Sequence, residues 1–360
     1  MRKLFCCILA CLLLAGIMAG CGSFGGKKEK IQKIEAEMDD TLGIVQNKLV
    51  YFVDKDNLND TADRSVWTYD LKNGTQEKIG TIENWNADSA CHAIFPSGKI
   101  YMSCGVNEES NPNKHYEFDI VKKEMRLLST DEYFQPLIYN IAANERQYVQ
   151  FKPEPLPSGG WRYSLLLGEI GKGGLEELQA REGRIEGENA EGEFIITYCI
   201  ENEIIYTYET QAYPDQTRNS YICSYDLQGN PLSKEPLTKG IREYMDTKDA
   251  SFYGMKKIGE YFFFTTNDLF RSCVMKKEAG DFRALDSFEK ARYFEVPSSN
   301  IDATGTEYFI NREEQKLYSF DLESEELKPM EDIPYPVNFA ITGYGYIVFH
   351  NDEGYYFFKI

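Results

Sequence analysis

Short apolar stretches rich in tyrosine and phenylalanine recur along the chain, and each follows a polar turn. Seven of them align on a central tyrosine and read QNKLVYF, SGKIYM, NERQYVQF, ENEIIYTY, GEYFFF, GTEYFI and GYGYIVF. The aligned residues are Tyr51, Tyr101, Tyr148, Tyr206, Tyr261, Tyr308 and Tyr346. Aromatic residues pack well on pleated surfaces and turn signals bound each stretch, so every repeat predicts a β-strand that follows a hairpin turn.

A second strand pattern follows in most repeats and ends on an aspartate at a turn. It is clearest in WTYDLKNG, YEFDIVKK, CSYDLQGN and YSFDLESE, which align Asp70, Asp119, Asp226 and Asp321. In the third and fifth repeats, that position is held by Leu166 and Met275. An aspartate that opens a turn accepts hydrogen bonds from the backbone N–H groups that follow it. We therefore interpret these carboxylates as turn-stabilising rather than catalytic or metal-binding.

The repeats together predict an all-β fold over residues 42–360, a seven-bladed β-propeller of four-stranded antiparallel blades. Each repeat has room for about four short strands, and a period of about 45 to 50 residues is typical of blades around a central channel. The last repeat ends at Ile360, one strand short. The segment 30–38 is the available candidate for the missing strand, although Ile31, Ile34 and Met38 would also suit a short helix.

The N-terminus reads as an export signal. A short basic start precedes an almost wholly apolar run, residues 4–19, that is too short for an ordinary membrane-spanning helix. The end of this run, Met18-Ala19-Gly20-Cys21, resembles the lipobox of bacterial lipoproteins, with methionine in place of the consensus leucine. The resemblance implies removal of residues 1–20 and acylation of Cys21, which would anchor the protein in a lipid membrane. A secretory signal with a chance cysteine is the alternative.

Residues 21–41 are predicted to form the lipidated cysteine and a tether, because GSFGGKKEK combines flexible glycine with charge. We therefore expect the folded domain to lie outside the cytoplasm, attached to the cell membrane. The repeats resemble extracytoplasmic β-propeller lipoproteins of Gram-positive bacteria and the broad group of PQQ-like and WD-like repeats. Neither the PQQ-type tryptophan docking motif nor the sialidase Asp-box is present in the sequence, so neither activity is carried over, and no cofactor is expected.

Charge excludes one class of partner. The chain carries 58 acidic and 39 basic residues, a formal net charge of −19. Nucleic-acid binding normally depends on clustered lysine and arginine that displace counterions from phosphates. A strongly acidic chain therefore disfavours a nucleic-acid partner.

Five cysteines lie in the predicted folded part: Cys91, Cys104, Cys199, Cys223 and Cys273. They show no CxxC spacing, which argues against a zinc ribbon or thioredoxin-like chemistry. Cys91 and Cys104 flank the apparent hairpin turn at residues 96–99. If Ser97-Gly98 is a two-residue loop, the two cysteines face each other and a disulfide is geometrically possible. Two small buried hydrophobic residues are the alternative.

Loop lengths predict which end of the blades carries function. Long inserts join the second and third strands at residues 54–64, 106–114, 152–160 and 209–219, whereas the other hairpin turns are tight. Aromatic residues on these inserts and on the blade-to-blade connections mark a possible ligand face. They are Trp85, Tyr133, Phe134, Tyr213, Tyr244, Tyr293 and Tyr335. The alternative is that these rings pack beneath their own loops.

Residues with catalytic or metal-binding chemistry are scarce. The three histidines, His92, His115 and His350, fall on predicted strands or strand ends, and the sequence contains no H-E-x-x-H or G-x-S-x-G motif. The acidic loop from Asp54 to Asp63 offers oxygen ligands for calcium but departs from the EF-hand pattern. No catalytic, cofactor-binding or metal-binding residue is therefore assigned.

Two functions remain open at this point. The first is a membrane-anchored binding or interaction module for a protein, peptide or glycan. The second is an extracytoplasmic glycan-active enzyme that uses carboxylates at the channel mouth. Two buried acids about 5 to 9.5 Å apart, with raised pKa values, would favour the enzyme.

Overall fold

The computed structural model describes most of the chain, and β-strands make up nearly all of its regular structure. The described residues are 31–56, 62–106, 113–131, 140–170, 172, 174–186, 189–215, 217–246, 252–266, 272–285, 294–295, 305–334 and 336–360. Within these segments the only helix is α1 (Lys239–Asp246), and none is long and apolar enough to cross a membrane. The predicted all-β class is confirmed.

A two-residue strand, β1 (Gln32–Lys33), opens the described chain. The first sheet then follows with seven strands in chain order. They are β2 (Asp40–Val45), β3 (Lys48–Asp56), β4 (Ala62–Asp70), β5 (Gln76–Ile94), β6 (Lys99–Val106), β7 (Asn113–Asp119) and β8 (Glu124–Asp131). The long strand β5 pairs with β4 through its first half and with β6 through its second half, so it belongs to two four-stranded units.

The second sheet has eight antiparallel strands, again two four-stranded units in series. They are β9 (Asn140–Ala142), β10 (Gln147–Pro155), β11 (Trp161–Glu169), β12 (Leu175–Glu186), β13 (Asn189–Glu201), β14 (Ile204–Ala212), β15 (Arg218–Tyr225) and β16 (Pro231–Pro236). The units join where the end of β12 pairs with the start of β13, from Gly183 opposite Gly192 to Glu186 opposite Asn189. Helix α1 follows β16.

The third and fourth sheets have four strands each. The third contains β17 (Phe252–Ile258), β18 (Tyr261–Thr266), β19 (Ser272–Glu278) and β20 (Asp281–Ala284). The fourth contains β21 (Phe294–Glu295), β22 (Thr306–Asn311), β23 (Lys316–Asp321) and β24 (Leu327–Pro329). Buried rings pack between them, with the ring centroids of Phe263 and Phe309 5.7 Å apart.

The last sheet takes its fourth strand from the other end of the chain. It contains β25 (Phe339–Gly343), β26 (Tyr346–Asn351) and β27 (Gly354–Lys359), followed by β1. Gln32 lies opposite Phe357 and Lys33 opposite Tyr356. This sheet also packs on the first one, because Val348 shares a buried cluster with Leu49. The first and last parts of the described chain are thus joined both by hydrogen bonds and by hydrophobic contact.

The seven aligned tyrosines all lie on the second strand of a four-stranded unit. They occupy β3, β6, β10, β14, β18, β22 and β26. Six of these strands follow short turns as predicted, whereas residues 296–305 separate β22 from β21, and residues 296–304 lie outside the described part of the chain. Several of these strands are buried on both faces; Val50, Tyr51 and Phe52 of β3 are all at most 2% exposed. This placement explains why their sequences read as apolar runs rather than as strict alternation.

The aligned aspartates accept hydrogen bonds inside turns between third and fourth strands. Asp119 Oδ1 accepts from the N–H groups of Val121 and Lys122 at 3.1 and 2.8 Å. Asp70 and Asp321 likewise accept from the N–H groups two and three residues further on, and Asp226 accepts from those two and four residues further on. Donation from these N–H groups stabilises the charged carboxylate, so it lowers the pKa of Asp119 below its usual value. The turn-stabilising interpretation is confirmed.

The predicted pairing of Cys91 with Cys104 is wrong by one residue. Cys91 lies opposite Ser103, whereas Cys104 lies opposite Ala90. The hairpin closes with three loop residues instead of two, because the Phe95 N–H donates to Lys99 O at 2.9 Å and Gly98 adopts a φ of 92°. A one-residue change of register moves a side chain to the opposite face of the sheet. The buried Cys104 thiol donates instead to the Lys114 carbonyl.

Candidate functional site

The two ends of the four-stranded units differ, because successive hairpins alternate between them. Turns from first to second strands and from third to fourth strands lie at one end. Connections from second to third strands, and from each unit to the next, lie at the other, which we call the insert face. The inserts at 57–61 and 107–112 fall outside the described residues, whereas those at 156–160 and 213–217 are described except for residue 216.

The structure places only some of the aromatic residues predicted for a ligand face. Trp85 is 3% exposed and belongs to strand β5, where its ring lies 5.6 Å from that of Phe52 and beneath the Arg64 guanidinium. Tyr213 is half-buried at the end of β14, and its hydroxyl accepts from Asn219 Nδ2 at 3.4 Å. Tyr244 lies on α1. Tyr133, Phe134, Tyr293 and Tyr335 lie outside the described residues. Trp85 is therefore a core residue rather than an exposed one.

A cleft of about 520 Å³ lies where the N-terminal segment meets the last sheet. We call it the seam cleft. One wall is the segment after β1, and the other is the β26–β27 hairpin, whose turn lies at the insert face. The lining residues are Lys33, Ile34, Glu35, Ala36, Glu37, Met38, His350, Glu353, Gly354 and Tyr355. The cleft thus brings together residues more than 300 positions apart in the sequence.

Hydrogen bonds hold the N-terminal wall of the seam cleft in place. The Ile34 N–H donates to Tyr355 O at 2.9 Å, and the Ile34 side chain is 3% exposed. On the other side, Gln76 Nε2 donates to Glu35 O at 2.9 Å, and Tyr51 donates to Gln76 Oε1 at 3.1 Å. The wall is therefore attached to both the last sheet and the first.

His350 and Tyr355 line the opposite wall of the seam cleft, which is the β26–β27 hairpin. They face each other across β26 and β27, and their ring centroids are 4.5 Å apart. Burial raises the pKa of Tyr355, and the nearby charges of Asp40 and Asp39 raise it further. The phenol is therefore protonated at neutral pH and is a weaker acid than a free tyrosine, so it can give its proton only to a strongly basic group such as a departing alkoxide. An imidazole beside it can accept a proton, so the pair carries the two groups that general acid–base catalysis needs.

The rim of the seam cleft is charged. Lys33 is exposed and stands close to Gly354, where an added Cβ would lie 3.5 Å from Lys33 Cε. The exposed carboxylates Glu35, Glu37 and Glu353 line the same cleft, and Glu353 accepts from the Tyr356 hydroxyl at 3.3 Å. The site can therefore offer one cation and several acceptors to a polar ligand.

Buried carboxylates elsewhere in the described chain are held by cations. Glu209 accepts from Arg181 Nε at 3.0 Å, and Glu307 pairs with Lys256 Nζ at 3.0 Å. Glu117 accepts from Lys99 and Tyr101, and these hydrogen bonds lower its pKa against the opposing effect of burial. A pair of buried acids with raised pKa values, the arrangement expected for a glycosidase, is therefore not what these residues provide.

The sequence pattern places His350 on a predicted strand or strand end and assigns no function to it. It does not single out Tyr355. His350 and Tyr355 lie two residues from Val348 and Phe357, so they share the sheet face that packs on the first sheet. That spacing was a usable signal for the wall they occupy. The opposite wall depends on where the N-terminal segment docks, which local patterns do not specify.

No protein-family model matches the chain, and no curated protein matches it. Several solved structures, by contrast, are similar to this chain. The β-propeller domain of the Trilobed protease from Pyrococcus furiosus is 14% identical with a TM-score of 0.52, covering 90% of this chain and 91% of that one. An oligogalacturonate lyase from Vibrio parahaemolyticus is 10% identical with a TM-score of 0.53, covering 93% and 95%. These likenesses show the fold, a β-propeller.

A third similar structure is an acylaminoacyl peptidase from Pyrococcus horikoshii, 13% identical with a TM-score of 0.51. The alignment covers 87% of this chain and 49% of that one, so this chain spans about half the length of the peptidase. These similar structures are named as peptidases or their domains and as a lyase. These names run against the main expectation from the sequence, a binding or interaction module, and fit its enzyme alternative better; at 14% identity or less, the likeness itself shows only the fold of this chain.

Proposed function

We propose that this chain is an extracytoplasmic glycan-active enzyme whose active site is the seam cleft. The observation that carries the proposal is the extent of the likeness to the oligogalacturonate lyase, which covers 93% of this chain and 95% of that one. The peptidase likeness covers only half of the peptidase, so it supports a shared domain rather than a shared activity. The lyase is an enzyme that this chain matches over nearly its whole length, which supports a glycan lyase activity.

The architecture we propose is a seven-bladed propeller. Each of the first two sheets supplies two four-stranded units, and the remaining three sheets supply one each. The last unit includes β1, so closure of the ring depends on the N-terminal segment. We also propose that residues 1–20 are a removed signal and that acylated Cys21 holds the enzyme at the outer side of the cell membrane. The lipobox-like sequence before Cys21 supports this placement.

The chemistry we propose is elimination from a sugar that bears a carboxylate. His350 takes the proton from the carbon beside that carboxylate, and the electron pair forms a carbon–carbon double bond as the glycosidic C–O bond breaks. Tyr355 gives its proton to the departing oxygen. Lys33 lies on the rim, where its charge can stabilise the carboxylate as negative charge develops on it. Atoms and electrons balance without an external oxidant or reductant.

The net negative charge of the chain does not exclude an anionic substrate. At physiological ionic strength, charges more than about 8 Å apart are largely screened. Recognition in the cleft would then depend on the nearest groups, among which Lys33 supplies the cation. The surrounding glutamates can accept hydrogen bonds from sugar hydroxyl groups.

The test is an assay of the full chain, extracted in detergent, on polygalacturonate and on neutral polysaccharides. Elimination creates an ultraviolet-absorbing double bond as well as a new reducing end, whereas hydrolysis creates only the reducing end. We expect both signals on a uronate polymer. His350→Ala should lower kcat by about 10²- to 10⁴-fold, the usual contribution of a general base. Tyr355→Phe, which removes only the hydroxyl, should lower it by about 10²-fold.

His115→Ala is the matched control. His115 is a half-buried histidine on β7, in the first sheet, and it does not line the cleft. We expect this variant to keep wild-type activity on the same substrates. Cleavage that persists unchanged in both His350→Ala and Tyr355→Phe would refute the site, and no cleavage of any glycan would refute the function.

A further inference from the structure

Trp161, the first residue of β11, is an unusually exposed aromatic side chain, 42% exposed. The loop before it is tightly closed, because the Leu156 N–H donates to Gly160 O at 3.0 Å and the Gly159 N–H donates to Leu156 O at 3.0 Å. A Cβ added at Gly160 would lie 2.7 Å from Gly183 O, so this loop packs backbone to backbone on β12. The hydrogen-bonded loop and its packing on β12 therefore fix the backbone position of Trp161.

The strands beside Trp161 leave its ring uncovered. Pro155 and Gly183 lie directly opposite it on the two neighbouring strands, and Gly192 lies opposite Gly183 one strand further. The two glycines carry no side chain, and Pro155 is itself exposed. The Phe194 ring fills the space where a Gly183 side chain would lie, so the neighbour of the indole on that side is an aromatic ring. The sheet thus presents a flat apolar surface centred on one tryptophan.

A cluster of packed aromatic rings lies next to Trp161 on the same face of the sheet. Tyr163 shares the face of Trp161, two residues further along β11. Its ring stacks on Phe151 with centroids 6.1 Å apart and meets the ring of Phe194 edge-on at 5.7 Å. Phe194 is 4% exposed. The strand that carries Trp161 is therefore anchored in packed core two residues away, so binding a ligand to the exposed ring would require little ordering of the backbone.

We propose that Trp161 is a sugar-stacking subsite that binds the distal part of a long glycan chain. The inference rests on the proposed function and deepens it. The loop before Trp161 joins a second strand to a third strand, as does the β26–β27 turn at the seam cleft, so both sites lie on the insert face. Only a polymer long enough to extend along this face from the last unit to the third would contact both. A flat apolar ring matches the C–H face of a pyranose, which presents no charge for burial.

The experiment measures binding without turnover, by calorimetry on the full chain carrying His350→Ala. The probes are digalacturonate and hexagalacturonate. Adding Trp161→Ala should weaken binding of the hexamer by about tenfold, the scale of losing one buried aromatic anchor. Binding of the dimer should change by less than about twofold, because the dimer fills only the cleft. Trp161→Phe should retain most of the hexamer affinity.

Leu175→Ala serves as the control variant. Leu175 is 46% exposed on β12, a strand of the same sheet, so its truncation removes similar exposed apolar surface at a site that we do not assign. We expect it to bind the hexamer as the parent does. Unchanged hexamer affinity in Trp161→Ala would overturn the proposal. Equal weakening of dimer and hexamer would also overturn it, since Trp161 would then act on the cleft rather than on a distal sugar.

Two further outcomes separate this inference from the proposed function. If the wild-type chain cleaves no glycan but the hexamer still binds through Trp161, the subsite stands and the enzymatic function fails. If the wild type cleaves the hexamer with kinetics that Trp161→Ala leaves unchanged, the function stands and the subsite fails. Binding of a proline-rich peptide to Trp161 in place of the hexamer would overturn the glycan assignment.

Discussion

The backbone N–H of Ile34 donates to the carbonyl of Tyr355 at 2.9 Å, joining the start of the described chain to its last strand. This hydrogen bond continues the pairing of β1 with β27 and places the Ile34 side chain in the cluster between the last and first sheets. One short segment therefore completes the last sheet and forms a wall of the seam cleft. Stability and the proposed activity should consequently depend on the same contacts.

Ile34→Ala should test the structural part of that dependence. The side chain is 3% exposed, so its truncation leaves a cavity and should lower the free energy of unfolding by about 2 to 4 kcal/mol. Urea unfolding followed by tryptophan fluorescence measures the change. Val121→Ala, at a side chain 60% exposed, is the control and should change it by less than about 0.5 kcal/mol. Equal stability of the two variants would show that the N-terminal segment does not hold the last sheet.

Asp119→Ala should destabilise the chain by about 1 to 2 kcal/mol, because two backbone N–H groups lose their acceptor. Asn at this position keeps an acceptor oxygen and should restore most of the loss. The carboxylate pKa is lower in the folded state than in the unfolded state. The contribution is therefore full above the usual pKa near 3.8 and lost as the pH falls through the lower folded value. An Asp119→Ala destabilisation that was larger below the folded pKa than above 3.8 would contradict this assignment.

The ion pair of Arg181 and Glu209 should be costly to break. The Glu209 side chain is 5% exposed and also accepts from Thr207 and Tyr225 at 2.8 and 2.7 Å. Glu209→Ala leaves a largely buried guanidinium without its main partner, so we expect a loss of about 3 kcal/mol or more. The double variant Arg181→Met with Glu209→Met should recover much of that loss in chemical denaturation. A double variant less stable than Glu209→Ala would argue against the ion pair as the cause.

Salt should raise the proposed activity on a uronate polymer. The chain has a net charge of −19, so at low ionic strength it repels an anionic substrate before the cleft is reached. Raising the salt concentration shortens the Debye length from about 30 Å at 0.01 M to about 10 Å at 0.1 M. We expect kcat/KM to increase over this range and then to level off. A steep decrease would indicate an attractive field, which this chain does not have.

The main features of the fold can be predicted from local patterns. The tyrosine-centred strands and the aspartate turns depend on residues within a few positions of one another, and both lie where the sequence places them. The hairpin before Cys104 shows a feature that local sequence patterns did not predict correctly, namely its register. Whether its loop has two or three residues depends on the positive φ at Gly98, and this one residue of register decides which side chains face each other.

The candidate site could not be predicted because it depends on long-range contacts. Trp85 reads as an exposed loop residue, yet β5 continues without interruption between two units and buries the ring against Phe52. His350 and Tyr355 become a site only when the segment around Ile34 docks beside them. No periodicity links residues 34 and 355, so tertiary packing alone brings these groups together.

The most direct test of the central claim is a crystal structure of the His350→Ala chain soaked with hexagalacturonate. We expect sugar density in the seam cleft, with a uronate carboxylate near Lys33 and a glycosidic oxygen within hydrogen-bonding distance of the Tyr355 hydroxyl. Ordered sugar bound anywhere else on the propeller, with an empty seam cleft, would contradict it.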